Sequence, residues 1–168
     1  CARQNKRNTR NQILFEMNLS QNLVSLYNDI LHRRYKVGRS MAFIIDRPVK
    51  REVFAATFRD RVVHHLLYRY LVPVFEPLFI HDSYACRKGR GTLFGIERLE
   101  HHIRSVSSNY TRPCHVLKMD LSGYFMSINR QRLFDIIVGT LGAKGCCSDG
   151  RYPVIEYLLR KITFNEPT

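Results

Sequence analysis

The 168-residue chain has no tryptophan, no Asp-Asp pair, and neither a Cys-x-x-Cys nor a His-x-x-x-His spacing. Without those paired ligands a structural zinc site has no local frame. Five cysteines, an odd number that includes the neighbours Cys146 and Cys147, do not form the framework of a disulfide-stapled secreted scaffold. They fit a reducing compartment, so a cytoplasmic location is expected. No apolar run approaches the roughly 20 residues that cross a bilayer. The basic, polar residues 1–12 lack the apolar segment of a signal peptide, and no membrane partner is expected. Gly89-Arg-Gly91 belongs to neither of the common nucleotide loops. No Gly-Lys-Ser/Thr follows it, and Gly95 falls one place too late for Gly-x-Gly-x-x-Gly.

Acidic residues are also scarce. Fourteen Asp and Glu face 27 Lys and Arg, a net charge of +13, while 45% hydrophobic content is ordinary for a folded domain. Such an excess on a compact chain attracts a polyanion through counterion release, and nucleic acid is the natural candidate. The cations cluster at element ends: Arg47, Lys50 and Arg51 at a turn, Arg59 and Arg61 opening a helix, and Arg87, Lys88 and Arg90 in the glycine loop. Backbone N–H groups at such ends also meet phosphates.

Periodicity places these clusters. Leu23, Leu26, Tyr27, Ile30 and Leu31 predict a core-facing helix over 20–35, with Ser20 as its cap. Two β-rich runs, 41–46 and 51–56, flank Pro48 and predict a hairpin. Val62, Val63, Leu66, Leu67, Tyr70 and Leu71 form one stripe over 58–72, with Pro73 as its end or kink. His64 and His65 lie beside that stripe without metal spacing, as packing or RNA-facing residues. Thr92 caps a predicted helix with the apolar face Leu93, Ile96, Leu99 and Ile103. Asn129 caps another that runs to about residue 141, and Pro153 opens a last one on Ile155, Leu158, Leu159 and Ile162.

The most specific run is Cys114-His-Val-Leu-Lys-Met-Asp120-Leu-Ser-Gly-Tyr-Phe125. Alternation predicts a strand that ends on Asp120, followed by a sharp Ser122-Gly123 turn and an aromatic. A carboxylate held there suits a hard ion such as Mg²⁺, which takes its other ligands from water and phosphates. With Arg51-Glu-Val-Phe-Ala-Ala-Thr-Phe-Arg-Asp-Arg-Val-Val-His-His65 and Ser83-Tyr-Ala-Cys-Arg-Lys-Gly-Arg-Gly-Thr92, this run resembles, in order and spacing, the first three sequence blocks of bacterial reverse transcriptases. These are the enzymes of group II introns, retrons and diversity-generating elements, and the resemblance covers about residues 41–137.

The resemblance implies that Asp120 is the first metal-binding aspartate and that Leu121 offers its carbonyl to the metal. It implies that Gly123 and Tyr124 present N–H groups to the incoming deoxynucleoside triphosphate, and that Phe125 is the gate against a 2′-hydroxyl. Lys50 and Arg51 resemble the cation pair that grips the triphosphate. The fold implied is α+β, with fingers over 1–112 and the first part of a palm over 113–168.

A two-ion site needs further carboxylates. The family takes them from a Tyr-x-Asp-Asp hairpin that this sequence lacks, and Asp135 and Asp149 are poor substitutes. The expectation is therefore a fragment of an RNA-directed DNA polymerase, inactive alone, whose partners are an RNA template, a DNA primer and deoxynucleoside triphosphates. Unpaired palm strands would leave it prone to self-association. A non-enzymatic RNA-binding module is the alternative, and a small phosphodiester hydrolase built on Asp120 a weaker third, for want of partner acids.

Overall fold

A computed structural model describes residues 9–47 and 50–166, with only the backbone of Arg51. Pro48, Val49 and the Arg51 side chain, all parts of the expected fingers turn, lie outside the described residues. The elements are α1 (Arg10–Met17), α2 (Leu19–Leu31), β1 (Met41–Ile45), β2 (Arg51–Ala55), α3 (Phe58–Phe75), α4 (Thr92–Val106), α5 (Tyr124–Ser127), α6 (Arg130–Ala143) and α7 (Tyr152–Thr163). The chain is thus mixed helix and strand. It forms two compact units, one of Cys1–Val72 with Asn129–Thr168 and the other of Pro73–Ile128. They do not follow the expected division at residue 112; compactness and function divide a chain on different grounds.

In the first unit β1 and β2 pair antiparallel with Met41 opposite Ala55 and Ile45 opposite Arg51, the hairpin that the two β-rich runs predict. The buried apolar residues of the described chain all belong to this unit. Leu26, Tyr35, Phe58, Val63, Leu67, Phe134, Leu141, Ile155, Leu158 and Leu159 are among them. Their helical spacing on α3, α6 and α7 explains why those segments fold as helices, and α6 packs on α7. Phe15 of α1, a helix the sequence reading missed, meets Phe58 at a tilt, with 5.3 Å between ring centroids. Asn129 caps α6 by accepting from Arg132 N at 2.9 Å, and Pro153 sits in the first turn of α7. Helix α3 runs on through Pro73 to Phe75. Helix α2 starts after Asn18 rather than at Ser20, and only its Leu26 is buried.

One carboxylate organises this unit. Asp60, fully buried, accepts from Tyr35 Oη at 2.6 Å, Thr57 Oγ1 at 2.6 Å and Gly38 N at 3.0 Å. Thr57 Oγ1 in turn accepts from Asp60 N at 3.2 Å, a reciprocal cap for the start of α3. Burial and the adjacent carboxylate push the Tyr35 hydroxyl well above its usual range, which keeps it a donor. Gly38 is required by proximity, since a Cβ there would lie 3.0 Å from Asp60 Oδ2 and 3.1 Å from Thr57 Cγ2. Tyr157 of α7 donates to Tyr35 O at 3.2 Å, so the same segment ties α3 to α7.

The second unit departs most from expectation. Residues 113–121 carry no strand or helix, where alternation predicts a strand ending on Asp120. A strand is defined by its partner, and among the described residues none pairs with this segment. Leu117 and Met119 are about four-fifths exposed as a result. The apolar stripe of α4 is likewise open, with Leu93 70% exposed.

Replacing Tyr35 by Phe removes one donor to a buried charge, for an expected cost of about 1–2 kcal/mol. Asp60→Asn turns one acceptor into a donor facing donors, and is expected to cost about 3 kcal/mol. Denaturant melts measure both. A neutral Tyr35→Phe would contradict the role given to this network.

Candidate functional site

The turn after Asp120 forms as the residues dictate. Gly123 adopts φ +62°, a left-handed conformation that glycine enters without Cβ strain, and it caps α5. Met126 N and Ser127 N both bond to Gly123 O at 3.0 Å, while the N–H groups of Gly123 and Tyr124 donate to no backbone acceptor among the described residues. Tyr124 and Phe125 meet edge to face at 5.3 Å, and Phe125 is 84% exposed. Leu121 is also exposed. The expected site residues from Asp120 to Phe125 thus lie together on one accessible turn.

Asp120 has no hydrogen-bond or ion-pair partner among the described residues, which leaves both oxygens open to a cation. It stands alone, because no group of three His, Cys, Asp or Glu side chains able to hold a metal occurs among the described residues. Asp135 accepts from Gln131 at 2.8 Å, and Asp149 is gripped by Arg151 through Nε and Nη2 at 2.7–3.0 Å. Asp120 therefore fits as one ligand of a Mg²⁺ ion that keeps most of its water. It does not by itself make a two-ion centre.

The glycine loop is built around its own arginines. Arg87, its side chain only 6% exposed, pairs with Glu76 at 2.8 Å and donates to Ile80 O at 2.9 Å and Ser83 O at 3.1 Å. Arg90 donates to His81 O and lies over the Phe94 ring at 5.3 Å. Lys88 is exposed, and the loop tip turns at Gly89 with φ +74°. Tyr84 packs in the protein rather than standing free: its ring lies against Gly95, where a Cβ would approach to 3.3 Å, and it meets Phe94 edge-on at 5.8 Å.

At the root of the loop Asp82 accepts from Arg98 at 2.7 Å, His102 at 2.7 Å and His81 at 3.1 Å. Bonds from Arg98, then His102, then His81 hold its carboxyl well below the usual carboxylate range. Asp82, Ile96, Leu99 and His102 line part of a cavity of about 430 Å³. The sequence reading missed this cluster. Its signal was the acid-flanking His81 together with Arg98 and His102, four apart on one helix face.

The remaining expected cations divide in two. Arg47 and Lys50, at the hairpin turn, are exposed. Arg59 bonds to Asp29 at 2.8 Å and lies over the Tyr35 ring at 5.1 Å, so protein partners engage it, while Arg61 is half-buried. His64 is half-buried as well, and burial pushes its imidazole below its ordinary value.

Arg87→Ala removes three charge-assisted bonds and is expected to destabilise the second unit by about 2–3 kcal/mol. Lys88→Ala is expected to change stability by under about 0.5 kcal/mol. Hydrogen exchange of the α4 amides separates the two. Equal protection in both variants would contradict the structural role of Arg87.

No family model matches the chain. It is similar to nuclear intron maturase 2, mitochondrial, of Arabidopsis thaliana, with 33% identity over 86 residues, covering 42% of this chain. The aligned part spans about 12% of that relative's length. A match of that extent is a similarity to an intron maturase and carries no bacterial type.

Proposed function

We propose that this chain is a reverse-transcriptase-like, RNA-binding segment of the kind that serves intron RNA or RNA-directed synthesis. The observation that carries the reading is the glycine loop. Its arginines are tied to carbonyls at and just before its start, so its shape is set before a ligand arrives, on a chain of net charge +13. The similarity to an intron maturase supports the same partner. Lys88 in the loop and Arg47 and Lys50 at the hairpin are exposed cations for phosphates.

The finer reading is polymerisation. Here Asp120 and the Leu121 carbonyl would hold Mg²⁺, whose chemistry when bound would be the neutralisation of charge on a transferring phosphate. The open N–H groups of Gly123 and Tyr124 bind triphosphate oxygens, Lys50 and Arg51 counter the remaining charge, and the exposed Phe125 ring walls off a 2′-hydroxyl. The parent reaction would be primer extension on RNA. The second reading is an RNA-binding module without catalysis.

Binding to single-stranded RNA is expected to neutralise about four phosphates. Affinity should then fall by about 50-fold between about 50 and 200 mM salt, with little sequence preference. Salt-independent affinity would contradict the electrostatic account.

In a protein that extends primers, Asp120→Ala should abolish synthesis. Phe125→Ala should raise the ratio of ribonucleotide to deoxynucleotide incorporation. Because Phe125 is exposed, its truncation should change stability by under about 0.5 kcal/mol. An unchanged ratio would contradict the gate assignment and leave the RNA-binding reading in place.

A further inference from the structure

The basic loop is closed into a ring by one acid. His81 and Asp82 precede it, Thr92 opens α4 directly after it, and Asp82 reaches past the loop to grip Arg98 and His102 in the body of that helix. Arg98 holds the carboxylate at two points, Nε to Oδ1 at 2.7 Å and Nη2 to Oδ2 at 3.3 Å. Inside the ring Arg87 and Arg90 spend donors on Ile80, Ser83 and His81 carbonyls. Lys88 beside Gly89 is the loop cation with no hydrogen-bond or ion-pair partner among the described residues.

We propose that Asp82 is a positioning residue for RNA binding, whose grip on Arg98 and His102 fixes the loop so that Lys88 and the spare Arg90 donors face one stretch of phosphate backbone. The role rests on the RNA-binding reading above. Its physical basis is entropic: a loop already held in its bound shape loses less freedom on binding, and its cations act at fixed spacing. None of the unit's apolar side chains is fully buried, so polar ties hold the loop: Arg87 to Glu76, Ile80 and Ser83 within it, and Asp82 to the body of α4.

The consequence runs against simple charge counting. Asp82→Asn removes one negative charge and raises the net charge from +13 to +14. Bulk electrostatics alone predicts tighter RNA binding for that variant. A positioning role predicts weaker binding, by about tenfold, with the salt slope lowered by about one as a phosphate contact is lost.

The test measures single-stranded RNA affinity at two salt concentrations for the full chain and for Asp82→Asn, Arg98→Lys, His102→Gln and Lys88→Ala, with helical content followed by circular dichroism. His102→Gln keeps a donor for Asp82 and is expected to retain affinity within about twofold. Arg98→Lys keeps the charge but loses the two-point grip, and is expected to weaken binding by about threefold. It supplies the same test should Asp82→Asn unfold. Folded Asp82→Asn or Arg98→Lys that binds as tightly as the unmodified chain, or tighter, overturns the positioning role alone. An unmodified chain that does not bind RNA overturns the RNA-binding reading itself, and this role with it.

Discussion

The buried carboxylate of Asp60 is the constraint on which the first unit depends. A desolvated charge is tolerated only when its lone pairs are filled, and here a phenol, a hydroxyl and a backbone N–H fill them. The donors come from two stretches of chain, Tyr35 and Gly38 before β1 and Thr57 before α3. Satisfying the acid therefore fixes the start of α3, the segment leading into β1 and, through Tyr35 O, the face of α7. The hairpin that carries Arg47 and Lys50 enters from this anchored segment, so a buried interaction sets the root of an exposed basic turn.

The second unit solves the same problem differently. None of its apolar side chains is fully buried, and its loop is tied by charge-assisted bonds between arginines, carbonyls and two acids, Asp82 and Glu76. Exposed ion pairs contribute little stability singly, but bidentate and networked ones hold geometry. That suits the proposed task of the loop, to present cations at fixed positions. It also means that a count of basic residues overstates the charges free for RNA: Arg87 and Arg59 are partnered within the protein, while Lys88, Lys50 and Arg47 are exposed.

Local features were legible in sequence. Two β-rich runs around Pro48 became the hairpin, Asn129 and Pro153 marked the starts of α6 and α7, and the Ser122-Gly123 step turned the chain as its glycine requires. Features that depend on distant partners were not. Alternation over 115–120 predicts a strand, but pairing is a property of two segments and the described chain supplies one. The helical stripe Leu93, Ile96 and Leu99 reads as a core face, yet nothing in its unit covers it. Arg87 and Lys88 are adjacent and alike in sequence. Only the placement of Glu76 and two carbonyls makes one structural and leaves the other exposed.

The central claim is that RNA meets this chain at two places, the hairpin turn and the glycine loop. Photo-crosslinking with 4-thiouridine-substituted RNA, followed by mapping of the modified peptides, tests it directly. The account predicts adducts within residues 46–51 and 83–92, lost at about 500 mM salt as phosphate contacts are screened. Adducts confined to α2, α6 or α7 and insensitive to salt would contradict it.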